Sequence, residues 1–118
     1  MAKNTFCHIE FQCTDIKRAQ AFYEGLFEWT FRSFGDDMTV FGVGDQHLGG
    51  LQKADHVAPG TSPSVWLEVD SIENYLAKAQ KLGGKVGKEK SPVPGVGFSA
   101  MVTDPDGNHV GIVQFETK

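Results

Sequence analysis

Cysteine is scarce in this chain: only Cys7 and Cys13 occur among its 118 residues. Both sit at odd positions of one alternating segment and face the same side. They are six positions apart, roughly 20 Å along an extended strand at ~3.3 Å per residue. A disulfide within that strand is excluded, and two buried small hydrophobes in a reducing compartment are expected. Long apolar runs are missing too. None approaches the ~20 residues needed to span a bilayer. The opening MAKNTFCHIEF lacks the apolar stretch of a signal peptide. No membrane contact is expected, and a cytoplasmic location is the default. Nor is charge of one sign concentrated. The net charge is −4, with acidic and basic residues interspersed, so there is no basic stripe to grip nucleic acid. Several catalytic signatures are also absent: a GxSxG elbow, a P-loop and a zinc-finger spacing of Cys and His. The two GVG fragments, 42–44 and 95–97, lie outside any strand-to-helix turn and do not signal nucleotide binding.

What is present suits one globular domain. Hydrophobic residues make up 40% and charged residues 22%, a mixture that supports a core without covalent staples. Nine Phe, two Trp and two Tyr supply enough aromatic surface for a core and a lined pocket.

From Thr5 to Thr14 the chain alternates, with Cys7, Ile9, Phe11 and Cys13 on one face and His8, Glu10 and Gln12 on the other. That is a half-buried strand with a polar face. Asp15 is placed to cap a helix carrying Ile16, Ala19, Phe22, Tyr23, Leu26 and Phe27 at helical spacing; Phe22, Tyr23 and Phe27 are expected in the core. Three strand-like pieces follow, 28–34, 38–43 and 47–52, separated by GDD and GDQ turns. Residues 55–63 (DHVAPGTSP) read as a linker, and then the plan restarts. Ser64, Trp66 and Glu68 alternate against Val65, Leu67 and Val69; Asp70 or Ser71 caps a helix with Ile72, Tyr75, Leu76, Ala79 and Leu82, stopped by Gly83-Gly84. Strands are predicted over 85–88, 98–103 and 109–115, with SPVPGVG as a loop between the first two. DPDGN at 104–108 is a turn, with Asp104 and Asn108 bonding local backbone and Gly107 at positive φ.

The order β-α-β-β-β thus occurs twice, in a first module over about 5–54 and a second over about 64–116. The expected fold class is α+β: two βαβββ modules side by side, forming a curved mixed sheet with helices outside and a concave cleft where a ligand should sit.

The stretches HIEFQCTDIKRAQAFYEGLFEW, WLEVDSIENYLAKAQKLGGKV and GFSAMVTDPDGNHVGIVQ together resemble the vicinal oxygen chelate superfamily, which holds lactoylglutathione lyases, extradiol dioxygenases, fosfomycin resistance enzymes and bleomycin-binding resistance proteins. The likeness runs from about Thr5 to Phe115 and is nearest to the bacterial glyoxalase-related branch. It implies paired modules, often assembled as a homodimer. It also implies metal ligands on the first and last strand of each module, which fall on His8, Gly49, Ser64 and Gly111. Gly111 stands where the family's metalloenzymes commonly carry Glu.

A catalytic divalent metal needs about three protein ligands, and those four positions offer one, His8. No metal site or cofactor is therefore expected; the fallback is a displaced divalent site drawing on Glu10, Glu68, His47 or His109. Glycine at position 111 leaves room for a close approach, by a ligand or by a side chain such as Trp66, or marks a bulge. The candidate ligand-binding residues are His8, Glu10, Trp66, Glu68, Phe98, His109 and Gly111. Trp66 is the expected stacking platform, and the acidic groups favour a cationic or aromatic small molecule. The expected function is metal-independent binding of such a molecule. The alternative is a lyase or isomerase of the lactoylglutathione lyase type, using a metal or His8 and Glu10 as an acid–base pair.

Overall fold

The structure, a computed structural model, describes residues 3–58 and 62–116. The described residues form eight strands and two helices, in the order β1 (Phe6–Cys13), α1 (Ile16–Phe27), β2 (Thr30–Ser33), β3 (Met38–Val43), β4 (Gln46–Lys53), β5 (Ser64–Glu68), α2 (Ile72–Lys81), β6 (Lys85–Val93), β7 (Gly97–Thr103) and β8 (His109–Phe115). The fold is α+β, with βαβββ written twice. Residues 59–61 of the expected linker lie outside the described residues. The chain divides into two compact units, one on residues 7–64 and the other on residues 65–116 with the N-terminal stretch 3–6. No helix among the described residues is long and apolar enough to cross a membrane.

In the first unit the strands lie in the order β2-β3-β4-β1. β1 runs parallel to β4, with Ile9 opposite Gly49 and Glu10 opposite Gly50. Helix α1 supplies the crossover such a parallel pair requires. Asp15 caps it, accepting from the Arg18 N–H at 3.1 Å, and Glu28 closes it in the left-handed region (φ 60°). Odd residues of β1 face the helix. Phe11 stacks on Tyr23 (centroids 5.3 Å apart) and on Phe41 (6.4 Å). Trp29 lies flat on Phe41 at 4.5 Å, and Leu51 is wholly buried beneath. Each such ring pair adds ~0.5–1.5 kcal/mol beyond its area. The expected core placement of Phe22 and Phe27 is corrected: they are 61% and 51% exposed, and Leu26 is 58% exposed. The apolar arc of α1 is wider than its contact with the sheet, which centres on Tyr23.

In the second unit the order is β5-β8-β7-β6. β5 runs parallel to β8, with Trp66 opposite Gly111 and Glu68 opposite Val113. Ser71 caps α2, and Gly83 at φ +97° follows its end. Val69, Ile72, Ala100 and Ile112 form the buried core, with Tyr75, Leu76, Phe98 and Val102 packed against it. The Ile72 N–H donates to Gln114 Oε1 at 2.9 Å, tying the helix start to β8. One expected boundary moves: β6 continues to Val93, through residues read as loop. Pro92 is tolerated because, among the described residues, β6 pairs only with β7, and an edge strand has no second neighbour needing its N–H.

Candidate functional site

On the helix-free face of the first unit, β1 presents His8 and Glu10 side by side. The Glu10 carboxylate accepts from His8 Nε2 (3.1 Å), and His8 Nδ1 meets His47 Nε2 at 2.8 Å. The two imidazoles lie nearly parallel, 15° apart. His47 reaches this face through a bulge. Phe41 pairs with Gly49 but Gly42 with His47, so Leu48 is the extra residue and the face of β4 flips beyond it. Gly42 permits the bulge, since a Cβ there would run into the Gln46 carbonyl. Burial first, then the neighbouring charges of His8 and Arg32, hold the His47 imidazole below its ordinary pKa, which favours the neutral ring.

One expectation changes here. Gly49, the family's last-strand position by alignment, faces away from His8: it pairs with Ile9, and a Cβ on it would strike the Ile9 carbonyl. Gly50 is the glycine beneath the His8 ring, where an added Cβ would lie 3.3 Å from Cε1.

On the second unit's helix-free face, the Trp66 indole lies directly over Gly111. A Cβ at position 111 would overlap ring atoms Cδ2, Cε3 and Cζ3. The glycine is there because a tryptophan occupies the space. Two residues on, Glu68 is buried (4% exposed). Lys3 Nζ donates to its Oε2 at 2.8 Å, while Oε1 has no hydrogen-bond partner among the described residues. A buried acceptor left unmet costs ~1–3 kcal/mol, so this oxygen calls for a donor. The Glu68 contact in turn pushes the Lys3 ammonium pKa up. His109 stands exposed, its Nδ1 3.3 Å from Thr103 Oγ1. Phe98 stands off the Trp66 face: it pairs with Gln114, one residue out of phase, and packs on the α2-side core under Lys90 Nζ, 4.3 Å from its ring centroid. In the DPDGN turn, Asp104 accepts from the N–H groups of Asp106 and Asn108 and from Asn108 Nδ2, and Gly107 has φ +94°.

The structure therefore brings His8, Glu10 and His47 together in one unit, and places Trp66, Glu68 and Gly111 on one face of the other. Sequence reasoning missed Lys3 and Arg32. Nothing in the sequence marks Lys3. Arg32 is a polar residue alternating with Phe31 in β2, and that alternation was the available signal.

These residues do not fit the metal of the metalloenzymes in this fold. Among the described residues no three His, Cys, Asp or Glu side chains are grouped to hold an ion. Both His8 nitrogens are engaged by Glu10 and His47, and Trp66 stands in the space of a ligand at position 111.

The description Glyoxalase/Bleomycin resistance protein/Dioxygenase superfamily matches residues 5–112, and the chain belongs to this superfamily. Its curated relatives include CFP32 of Mycobacterium bovis and of Mycobacterium tuberculosis, a candidate glyoxylase by name, 32% identical over 93 residues. That alignment covers 75% of this chain and 36% of the relative, so the chain spans about a third of the length of those proteins. Among solved structures, a superfamily member from Vibrio splendidus matches with a TM-score of 0.69 at 17% identity, covering 93% of this chain and 99% of that one. The Mn(II)-bound glyoxalase from Novosphingobium aromaticivorans matches with a TM-score of 0.67 at 20% identity, covering 92% and 38%. At these identities the structural likeness is one of fold.

Proposed function

We propose that this protein binds a small molecule bearing an N–H or ammonium donor on an aromatic frame, and does so without the superfamily's divalent metal. The observation that carries this reading is Glu68 Oε1, a buried carboxylate oxygen with no donor among the described residues, on the strand face it shares with Trp66. Lys3 offsets the carboxylate's charge and leaves one oxygen for the ligand. The Trp66 ring offers an aromatic surface two residues away, and His109 and Gly111 lie along the neighbouring strand. The protein is proposed to act as a homodimer in a reducing, cytoplasmic setting, with Cys7 and Cys13 outside any disulfide.

Elemental analysis of protein purified without chelator, with a thermal-shift panel, tests this. No stoichiometric divalent ion is expected. Benzylamine should raise the melting temperature where benzyl alcohol does not, and Glu68→Leu should abolish that difference. One ion per chain, lost in His8→Ala, would overturn the metal-free reading.

The hydrogen-bonded series Glu10–His8–His47 supports a second reading, a lyase or isomerase that moves a proton. A carboxylate that holds an imidazole in one orientation fixes which ring nitrogen can exchange a proton, which is what an acid–base pair requires. Such an enzyme would exchange a carbon-bound hydrogen of its substrate with solvent deuterium and lose that exchange in His8→Asn.

A further inference from the structure

The first unit has its own cavity of about 330 Å³, with Thr30, Arg32, Gly42, Asp45 and His47 among its walls. That volume lies in the range of small-molecule sites. Two of these groups have unused bonding capacity. The Arg32 guanidinium forms no ion pair or hydrogen bond among the described residues. His47 spends Nε2 on His8, and no partner for its Nδ1 exists among the described residues.

The hydrogen-bond order assigns the tautomers of the neutral rings. Glu10 as acceptor places a proton on His8 Nε2; His8 Nδ1 then accepts from His47 Nε2–H. His47 Nδ1 is left as an acceptor on a residue that lines the cavity. Thus the cavity lining holds both a fork of cationic donors and an imidazole lone pair. A guanidinium fork matches a carboxylate in two parallel hydrogen bonds, and an imidazole lone pair takes a hydroxyl.

We propose that this cavity binds a small hydroxy acid, its carboxylate on Arg32 and its hydroxyl donating to His47 Nδ1. Asp45 on the same wall disfavours a second negative charge, so a monocarboxylate is selected over a dicarboxylate. This goes beyond both functional readings above, because it uses groups that neither of them invokes as ligand contacts.

The experiment is an NMR titration of the full chain, following the His47 ring signals, with glycolate, acetate, ethylene glycol and malonate as probes. Glycolate should shift those signals saturably and bind more tightly than the other three. Arg32→Gln should weaken glycolate about tenfold, the scale of one charge-assisted contact, and Arg32→Lys should restore part of it. His47→Phe should abolish the preference for glycolate over acetate. Equal responses to glycolate and acetate in the parent protein would sink the proposal, as would unchanged glycolate affinity in Arg32→Gln. The readout at His47 is independent of the benzylamine response at Glu68, so either idea can fail alone.

Discussion

At the scale of single residues, Gly111 and Trp66 are the clearest case of sequence and structure explaining each other. A mid-strand glycine invites a close approach, and the register puts the indole there. Gly111→Ala should destabilise by ~1–3 kcal/mol, the usual cost of overfilling a packed site. Combining it with Trp66→Ala should recover part of that loss, measured as a coupling energy from urea midpoints. Asp104 gives a pH-dependent prediction. Hydrogen bonds from the Asn108 side chain and backbone, and from the Asp106 N–H, hold its carboxyl below the ordinary value. A folded-state pKa below the unfolded one means stability present above the unfolded value and lost as pH falls through the folded one. Asp104→Asn should therefore melt below the parent at neutral pH, and thermal scans should show that gap closing in acid. The turn chemistry of DPDGN was legible because it is local. The pairing of His8 with His47, 39 positions apart, was not, because it depends on a one-residue bulge that no composition signal announces.

Elements were read well wherever one period dominated. The alternation of β1 and the helical spacing from Ile72 to Lys81 lie where the pattern put them. Caps were equally legible, since Asp15 and Ser71 both accept from the N–H three residues on. Asp15→Ala should cost ~1 kcal/mol, read as a lowered urea midpoint. Asp15→Ser should retain most of that stability. Two elements misled, for opposite reasons. β6 runs through Pro92 because an edge strand escapes the usual penalty. In α1, period alone says which side chains share an arc; it does not say how much of that arc the sheet covers, so Phe22 and Leu26 are exposed.

For the whole molecule, the doubled βαβββ order was visible because each half repeats the same succession of periods and breakers. The second half differs chiefly in its longer β6, nine residues against the four of β2. Each unit has its own buried centre, Leu51 in one and Ile72 in the other, both at 0% exposure. Leu51→Ala and Ile72→Ala should each cost ~2–5 kcal/mol in chemical denaturation. Hydrogen exchange should show the larger loss of protection in β3 and β4 for the first, and in β7 and β8 for the second. The two chemical groupings were only partly legible, since a face can be deduced from alternation while hydrogen-bond partners need register.

The tryptophan resting on a bare backbone also bears on the order in which substitutions can be made. A carboxylate introduced at 111 would meet the ring, and shrinking the ring first would open a hole with nothing to fill it. Each lone step is unfavourable, so any path to an acidic side chain in this strand has a valley on both sides, and the matched pair acts as a ratchet.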